Sequence, residues 1–348
     1  MRILVLIKWM VRWNGASKVA YELSKRFKKC GHDVRIVAYG DHIDPNWEKE
    51  FIFYRLSGKG LFTLQQLRSI VREYKPDIIH SHDWLGLLVV GLDVPLISTN
   101  HSNWPVNWFF GLDTFFAGIF QGIPNEIKLY FSDKVISVSS YQQKQSLRHK
   151  ICSDVIYNGI DVDYFERPND IIEMIHPAVL FVGTIDNRKA KYLMPYIEEL
   201  NKIGSAVQYY VIGAPVDDKI VKAIQNKNNI HYLGVVDDVK PYYYQADVLV
   251  FVSRAEMCPL VLLEALACGL PVVAFDICSN EEIIQNGECG FIVPLKDFEV
   301  LAKKTLDIIN DNKLKERFSR NGTSRASQFF LWDEKAQEYL VYFSDLCS

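Results

Sequence analysis

The chain holds 348 residues, 49% of them hydrophobic and 23% charged, the balance of an ordinary globular protein. That length suits two domains of usual size. The formal net charge of −3 offers no basic footprint for nucleic acid, so DNA- and RNA-binding classes are set aside.

In chain order, MRILVLI has one basic residue and a short apolar run before Lys8. It predicts a first strand rather than a signal peptide. A helix is expected from about 17 to 30, closed by Gly31. The runs DVRIVAY and FIFYRL predict strands, a helix follows near 63–74, and PDIIHSH, VPLISTN and DKVISVS predict three more strands. FERPND then breaks the pattern, which places a domain boundary within 164–177. The second half restarts near Ala178 with VLFVGT, VQYYVIG, a strand before Gly234, DVLVFVS, PVVAF and GFIV. Apolar strands alternating with amphipathic helices predict an α/β protein of two doubly wound, Rossmann-like domains. The expected division is 1–165 and 166–329, followed by a helical aromatic tail over 330–348. No segment is long and apolar enough to cross a membrane. None of the seven cysteines forms a C-x-x-C pair, so a reduced, cytoplasmic setting is expected, with most thiols buried as small hydrophobes. The sequon Asn321-Gly322-Thr323 lacks a secretory context and reads as chance.

The richest stretch is 248–294. A buried strand ends in a turn through Ser253, Arg254 and Ala255 to Glu256. Pro259 then opens an apolar helix carrying Glu264; Gly269 closes it and Pro271 blocks its continuation. Between the two carboxylates the helix start, from about Cys258 through Pro259 to Leu260, offers backbone N–H groups and a dipole that suit an anion. A phosphate flanked by two carboxylates makes sense when the phosphate ester carries hydroxyl-rich groups on both sides. Nucleotide sugars do, with a ribose on one end and a hexose on the other, and carboxylates accept hydrogen bonds from paired sugar hydroxyls.

The stretch resembles the donor-binding motif of the family-four glycosyltransferases of the GT-B fold, the E-x7-E group. ALACGLPVVA after Glu264 and EIIQNGECGFIVP further on match in order and spacing. So do GHDVRIVA, KPDIIHSHDW, VISVSSYQQ, VIYNGIDVDYF and LFVGTIDNRKA earlier in the chain. The resemblance implies two Rossmann-like domains facing a central cleft, with the last helix crossing back to the N-terminal domain. It implies a retaining transfer of a hexosyl group from a nucleotide diphosphate sugar, with no cofactor beyond that donor. Glu256 then corresponds to the glutamate that binds the donor sugar, and Glu264 to the one that binds the ribose.

Further site residues follow from the same resemblance. Asn14-Gly15-Ala16 stands where relatives have Gly-Gly, so Gly15 is expected near the donor phosphate or the acceptor, or to satisfy a left-handed backbone angle. Gly183-Thr184-Ile185-Asp186-Asn187-Arg188-Lys189 resembles a G-T-x-x-P-R-K subgroup, with Asn187 in place of proline. Arg188 and Lys189 are the expected cations for a departing pyrophosphate. His101 follows VPLISTN and matches a histidine near the donor sugar and acceptor. Glu282 matches a further glutamate, which either orients the loop 276–280 or caps a helix. His80, His82 and Asp83 offer an alternating metal pattern without a third soft ligand, and Asp161-Val162-Asp163 spells D-x-D inside a family string. No metal is therefore expected.

Residues 104–120 carry seven aromatics, Trp104, Trp108, Phe109, Phe110, Phe115, Phe116 and Phe120, and one charge, Asp113. They suit either a lipid-acceptor groove at the cytoplasmic face of a membrane or a buried helix pair. The expected partners are a nucleotide sugar and a glycan or lipid-linked acceptor. The rival readings are a non-transferring enzyme of the same fold, such as a sugar-nucleotide epimerase, and a non-catalytic partner subunit. Intact Glu256, Glu264 and Lys189 argue against the second, while Thr184 favours it weakly. A dehydrogenase is set aside because no G-x-G-x-x-G follows the first strand.

Overall fold

The computed structural model describes residues 1–58, 60–101, 118–169, 172–204 and 206–348. The chain forms two compact units, Met1–Asn158 with Trp332–Ser348, and Gly159–Leu331.

The first unit is built on a parallel sheet in the order β3-β2-β1-β4-β5-β6-β7. Its strands are β1 (Arg2–Leu6), β2 (Asp33–Tyr39), β3 (Ile52–Leu56), β4 (Ile78–Ser81), β5 (Leu96–Asn100), β6 (Lys134–Ser137) and β7 (Asp154–Val155). The central strand β1 is apolar on both faces because crossover helices cover both. Ile3, Leu4, Val5 and Leu6 of β1 are all fully buried. The chain runs outward from β1 to β3, then returns to β4 and runs the other way, so order reverses between β1 and β4. In open α/β sheets ligands gather outside the carboxyl ends of the strands at such a reversal.

The second unit repeats the plan with β8 (Ala178–Val182), β9 (Gln208–Ile212), β10 (Ile230–Gly234), β11 (Val248–Phe251), β12 (Val272–Phe275) and β13 (Gly290–Val293), in the order β10-β9-β8-β11-β12-β13. Its reversal lies between β8 and β11, which pair directly through Val179 with Val248 and Leu180 with Leu249. The loops that leave these two strands carry Arg188, Lys189 and Glu256.

The division between units falls at Asn158 and Gly159, upstream of the break at FERPND. Segment 159–165 is held by the second unit instead. Tyr244 Oη donates to the Tyr164 carbonyl at 2.8 Å, and Lys240 Nζ donates to the Asp163 carbonyl at 3.1 Å. Asp161 turns its carboxylate to the N–H of Val162 at 3.0 Å. The D-x-D string is thus a short 3-10 turn at the start of the second unit. Ile160 N donates to the Phe330 carbonyl at 2.5 Å, so the two points where the chain leaves and re-enters the first unit are pinned together.

The tail forms the helix Trp332–Cys347 and belongs to the first unit. Phe343 lies 5.1 Å from Phe27 and Tyr339 5.1 Å from His80, ring centre to ring centre. Burying each large aromatic stabilises by about 1.5–3 kcal/mol. Asp333 pairs with Arg26 at 2.8 Å, and Arg26 also pairs with Glu22 at 2.6 Å. None of the described helices is long and apolar enough to cross a membrane. All seven cysteines are free, but only Cys258, Cys268 and Cys289 are buried; Cys30, Cys152 and Cys347 are exposed and Cys278 is intermediate. The expectation of mostly buried thiols is corrected on this point. Cys30 and Cys347 sit at helix C-termini, where the chain emerges from the core.

Candidate active site

Glu256 stands at the centre of an ion cluster in the second unit. Its Oε1 accepts from Arg188 Nη1 at 2.5 Å and lies 3.2 Å from Lys189 Nζ. Arg188 Nη1 also donates to the Ala255 carbonyl at 3.1 Å, and Arg254 N donates to the Arg188 carbonyl at 2.8 Å. The loops after β8 and β11 are therefore laced through backbone as well as charge. Burial pushes the Glu256 carboxyl up, but the charges of Arg188 and Lys189 outweigh it and hold it below the ordinary carboxylate value. Glu256 is ionised at neutral pH, beside two cations.

Three residues that hold this cluster escape a sequence reading. Asp186 Oδ1 accepts from the N–H groups of Arg188 at 2.8 Å and Lys189 at 2.7 Å, an Asx turn that aims both side chains. Thr184 Oγ1 donates to Asp186 Oδ2 at 2.6 Å, which gives this threonine a positioning task of its own. Arg254 Nη1 donates to Asn187 Oδ1 at 3.2 Å, so Asn187 is anchored where the related pattern has proline. An aspartate two residues before Arg188 was the available signal for the turn. Arg254 could not be found without the pairing of β8 with β11.

The loop after β8 also needs a bare neighbour. Gly213, which follows β9, has φ 154°, and a Cβ there would stand 1.8 Å from the Gly183 carbonyl oxygen. Only glycine allows that approach.

Glu264 lies in the helix Leu260–Ala267, buried, and its Oε2 accepts from Tyr243 Oη at 2.9 Å. The helix begins after Pro259, with no side chain capping it. Pro259 has no N–H, so it cannot donate to an anion, and the expectation of a donor at that position is corrected. Glu282 falls in the short helix Asn280–Ile284, where its carbonyl accepts from Arg325 Nη2 at 2.5 Å.

The remaining candidates lie in the first unit. Gly15 is the first residue of the helix Gly15–Lys29, and Asn14 caps it by accepting from Ser17 N at 3.2 Å. Gly15 does not have a positive φ, and a Cβ there would meet nothing within 4 Å. The left-handed reading of this glycine is therefore excluded. His101 follows β5, and its Nε2 lies 3.0 Å from His82 Nδ1, with the rings stacked at 5.3 Å. His80 Nε2 meets Thr99 Oγ1 at 2.8 Å, and Thr99 Oγ1 meets Tyr339 Oη at 3.0 Å. Asp83 turns away to accept from Leu85 N at 2.9 Å and from Lys8 N. Burial, with the Lys128 charge adding to it, pushes His101 down to about 3, and burial chiefly does the same to His80. His82 is pushed well below the usual histidine value, again mostly by burial. All three rings are neutral at physiological pH. Among the described residues no group of three or more His, Cys, Asp or Glu is arranged to hold a metal ion. The aromatic segment falls almost wholly on 102–117, outside the described residues.

A family model described as "Glycosyl transferases group 1" matches residues 176–311, and one described as "Glycosyltransferase Family 4" matches residues 13–164. Among curated proteins, the N-acetyl-alpha-D-glucosaminyl L-malate synthase of Bacillus anthracis is 20% identical over 96% of this chain and 94% of its own. Among solved structures, a sucrose-phosphate synthase from Thermosynechococcus elongatus superposes with a TM-score of 0.86 at 21% identity, covering 99% of both chains. The Anabaena protein HepE, in complex with UDP and glucose, gives 0.82 at 18% identity, again over 99% of both. The structural likenesses establish the GT-B fold of two Rossmann-like units, and the two family models between them span most of the sequence. The chain belongs to the family-four glycosyltransferases, and it is an enzyme of that group.

Proposed function

We propose that this glycosyltransferase moves a hexosyl group, with retention, from a nucleotide diphosphate sugar to a glycan or lipid-linked acceptor. The observation that carries the reading is the meeting of Glu256 with Arg188 and Lys189 at the carboxyl ends of β8 and β11. Two cations beside an uncapped helix start offer three sources of positive potential to a departing pyrophosphate. Glu256 is the acceptor for hydroxyls of the donor sugar. Glu264, steadied by Tyr243, is the acceptor for the ribose hydroxyls. The open space over Gly15 suits close approach of a substrate to the backbone. His101 lies at a strand's carboxyl end, where substrates of such folds gather. The HepE complex with UDP and glucose, at TM-score 0.82, supports a nucleotide donor. Attack and departure on one face, with the leaving phosphate taking the acceptor's proton, accounts for retention without a protein nucleophile.

The direct test is incubation with a panel of nucleotide sugars, following the anomeric proton of the product by NMR. Retention gives the donor's anomer first, whereas the opposite anomer would overturn the stereochemical part. Glu264→Gln keeps the side chain's shape and the Tyr243 contact, so the donor KM should rise about tenfold with little change in kcat, as loss of one charge-assisted bond implies. Steady-state kinetics check this, and an unchanged KM would remove Glu264 from the ribose.

For the acceptor side, the exposed apolar residues Phe120, Ile127, Tyr130 and Phe131 border the helix Ile123–Tyr130, near the exposed Arg148 and Lys150. Tyr130 Oη donates to the His149 carbonyl at 2.6 Å, which joins the apolar and basic parts. Rings flanked by cations suit an anionic membrane interface. The protein should co-sediment with phosphatidylcholine vesicles containing phosphatidylglycerol, and Phe120→Ser with Phe131→Ser should at least halve the bound fraction. Wild-type protein that stays in the supernatant would leave a soluble glycan as the acceptor.

A further inference from the structure

His82 and His101 form a buried pair with an unequal environment. His82 Nδ1 faces His101 Nε2 at 3.0 Å, so one nitrogen donates and the other accepts. His82 Nε2 is buried and meets no hydrogen-bonding atom. If His82 accepted at Nδ1, its single ring proton would sit on Nε2 as a buried N–H with nothing to bond. An orphaned buried N–H is rarer than a bare acceptor and costs its full desolvation. The proton of His82 therefore belongs on Nδ1, where it is bonded. His101 Nε2 is then the acceptor, and the proton of His101 must lie on Nδ1. No described residue bonds His101 Nδ1.

We infer that His82 is a positioning residue that locks His101 in its Nδ1–H tautomer, so that His101 offers the substrate a hydrogen-bond donor and not a base. The groups packed around the pair do not disturb this assignment. Among the described residues they are His80 beside His82, the buried Lys128, Asp83 held by the backbone N–H groups of Leu85 and Lys8, and Tyr339 through Thr99. The other nitrogen of a histidine sets which face is protonated, and here that nitrogen is filled by His82. A donor at His101 suits a substrate hydroxyl oxygen, and it leaves the acceptor's proton to the departing phosphate. The inference rests on the proposed substrate-facing role of His101, but the tautomer itself is measurable without substrate.

The test uses the whole chain labelled with ¹⁵N-histidine and long-range ¹H–¹⁵N NMR, with His101 assigned by its loss in His101→Gln. Wild-type His101 should show a protonated Nδ1. His82→Phe keeps the ring volume but removes the donor, and should return His101 to the Nε2–H form that free imidazole side chains prefer. Turnover should then fall about tenfold with the donor KM within about twofold, as wrong-tautomer and outer-shell changes elsewhere suggest. His82→Asn places an amide N–H near the position of Nδ1, and should keep both the tautomer and turnover within about threefold of wild type. An Nε2–H tautomer in the wild type, or an unchanged tautomer in His82→Phe, overturns the inference. Equal losses in the Phe and Asn variants also overturn it, because they would mark His82 as merely structural. If His82→Phe does not fold, the wild-type and Asn spectra decide. A protonated Nδ1 together with full activity in His101→Gln would retain the tautomer lock but remove His101 from the reaction, separating the two failures.

Discussion

Glu256→Gln should lower transfer by about 10²–10³-fold, the loss typical when one charge aimed at a developing transition state is removed. The amide keeps the length and one acceptor oxygen but removes the charge that Arg188 at 2.5 Å and Lys189 at 3.2 Å both face. The variant should also lose about 1–2 kcal/mol of stability. Breaking a buried pair costs more, but the Arg188 side chain is 31% exposed and keeps solvent and the Ala255 carbonyl as partners. Initial rates and a thermal melt on the same sample separate the two effects. A variant with near-normal transfer would remove Glu256 from the donor sugar.

Gly213→Ala should damage the fold more than any change within the ion cluster. The added methyl would fall 1.8 Å from the Gly183 carbonyl, and backbone oxygen cannot swing aside as a side chain can. At φ 154° an alanine is strained in any case. The cost should be on the order of 3–5 kcal/mol, the range reserved for buried clashes and forced backbone, and several degrees in melting temperature. The loop 183–189 carries Arg188 and Lys189, so nucleotide binding should weaken along with stability. A melt within about 1 °C of wild type would show that the loop has slack that these contacts do not reveal.

Both sheets were legible because parallel strands covered on two faces leave unbroken apolar runs, such as RILVL and VLVF. The exception is β7, Asp154–Val155, too short for any periodicity to register. The division at Asn158 and Gly159 has no sequence signal of its own, because FERPND looks like a linker while 159–165 is held by Lys240 and Tyr244, about eighty residues away. In the proposed site, Glu256, Arg188 and Lys189 are singled out by a family resemblance in which order and spacing carry the signal, and their side chains meet in one ion cluster. Their supports are not singled out in this way. Arg254 reaches Asn187 and Tyr243 reaches Glu264 only because β8, β11 and their helices are packed side by side. Pairing of that kind is set by sheet order and has no sequence pattern of its own. The same holds for His82 and His101, nineteen residues apart and joined only because β4 and β5 are neighbours. At Gly15 the backbone is helical and the space above it is open, so the fold itself does not demand a glycine there.

The central claim is that Arg188 and Lys189 hold the diphosphate of a nucleotide donor, and calorimetry tests it most directly. Wild type and Lys189→Ala are titrated with UDP, GDP, ADP and the matching nucleosides, in EDTA throughout. At least one diphosphate should bind wild type without a divalent ion. Lys189→Ala should weaken that diphosphate about tenfold or more while leaving its nucleoside nearly unchanged, because the lost contact is with phosphate. Equal weakening of diphosphate and nucleoside would contradict the assignment of Lys189. Binding that appears only when a divalent ion is restored would contradict the account as a whole, and would return His80, His82, Asp83 and Asp161 to consideration as ligands.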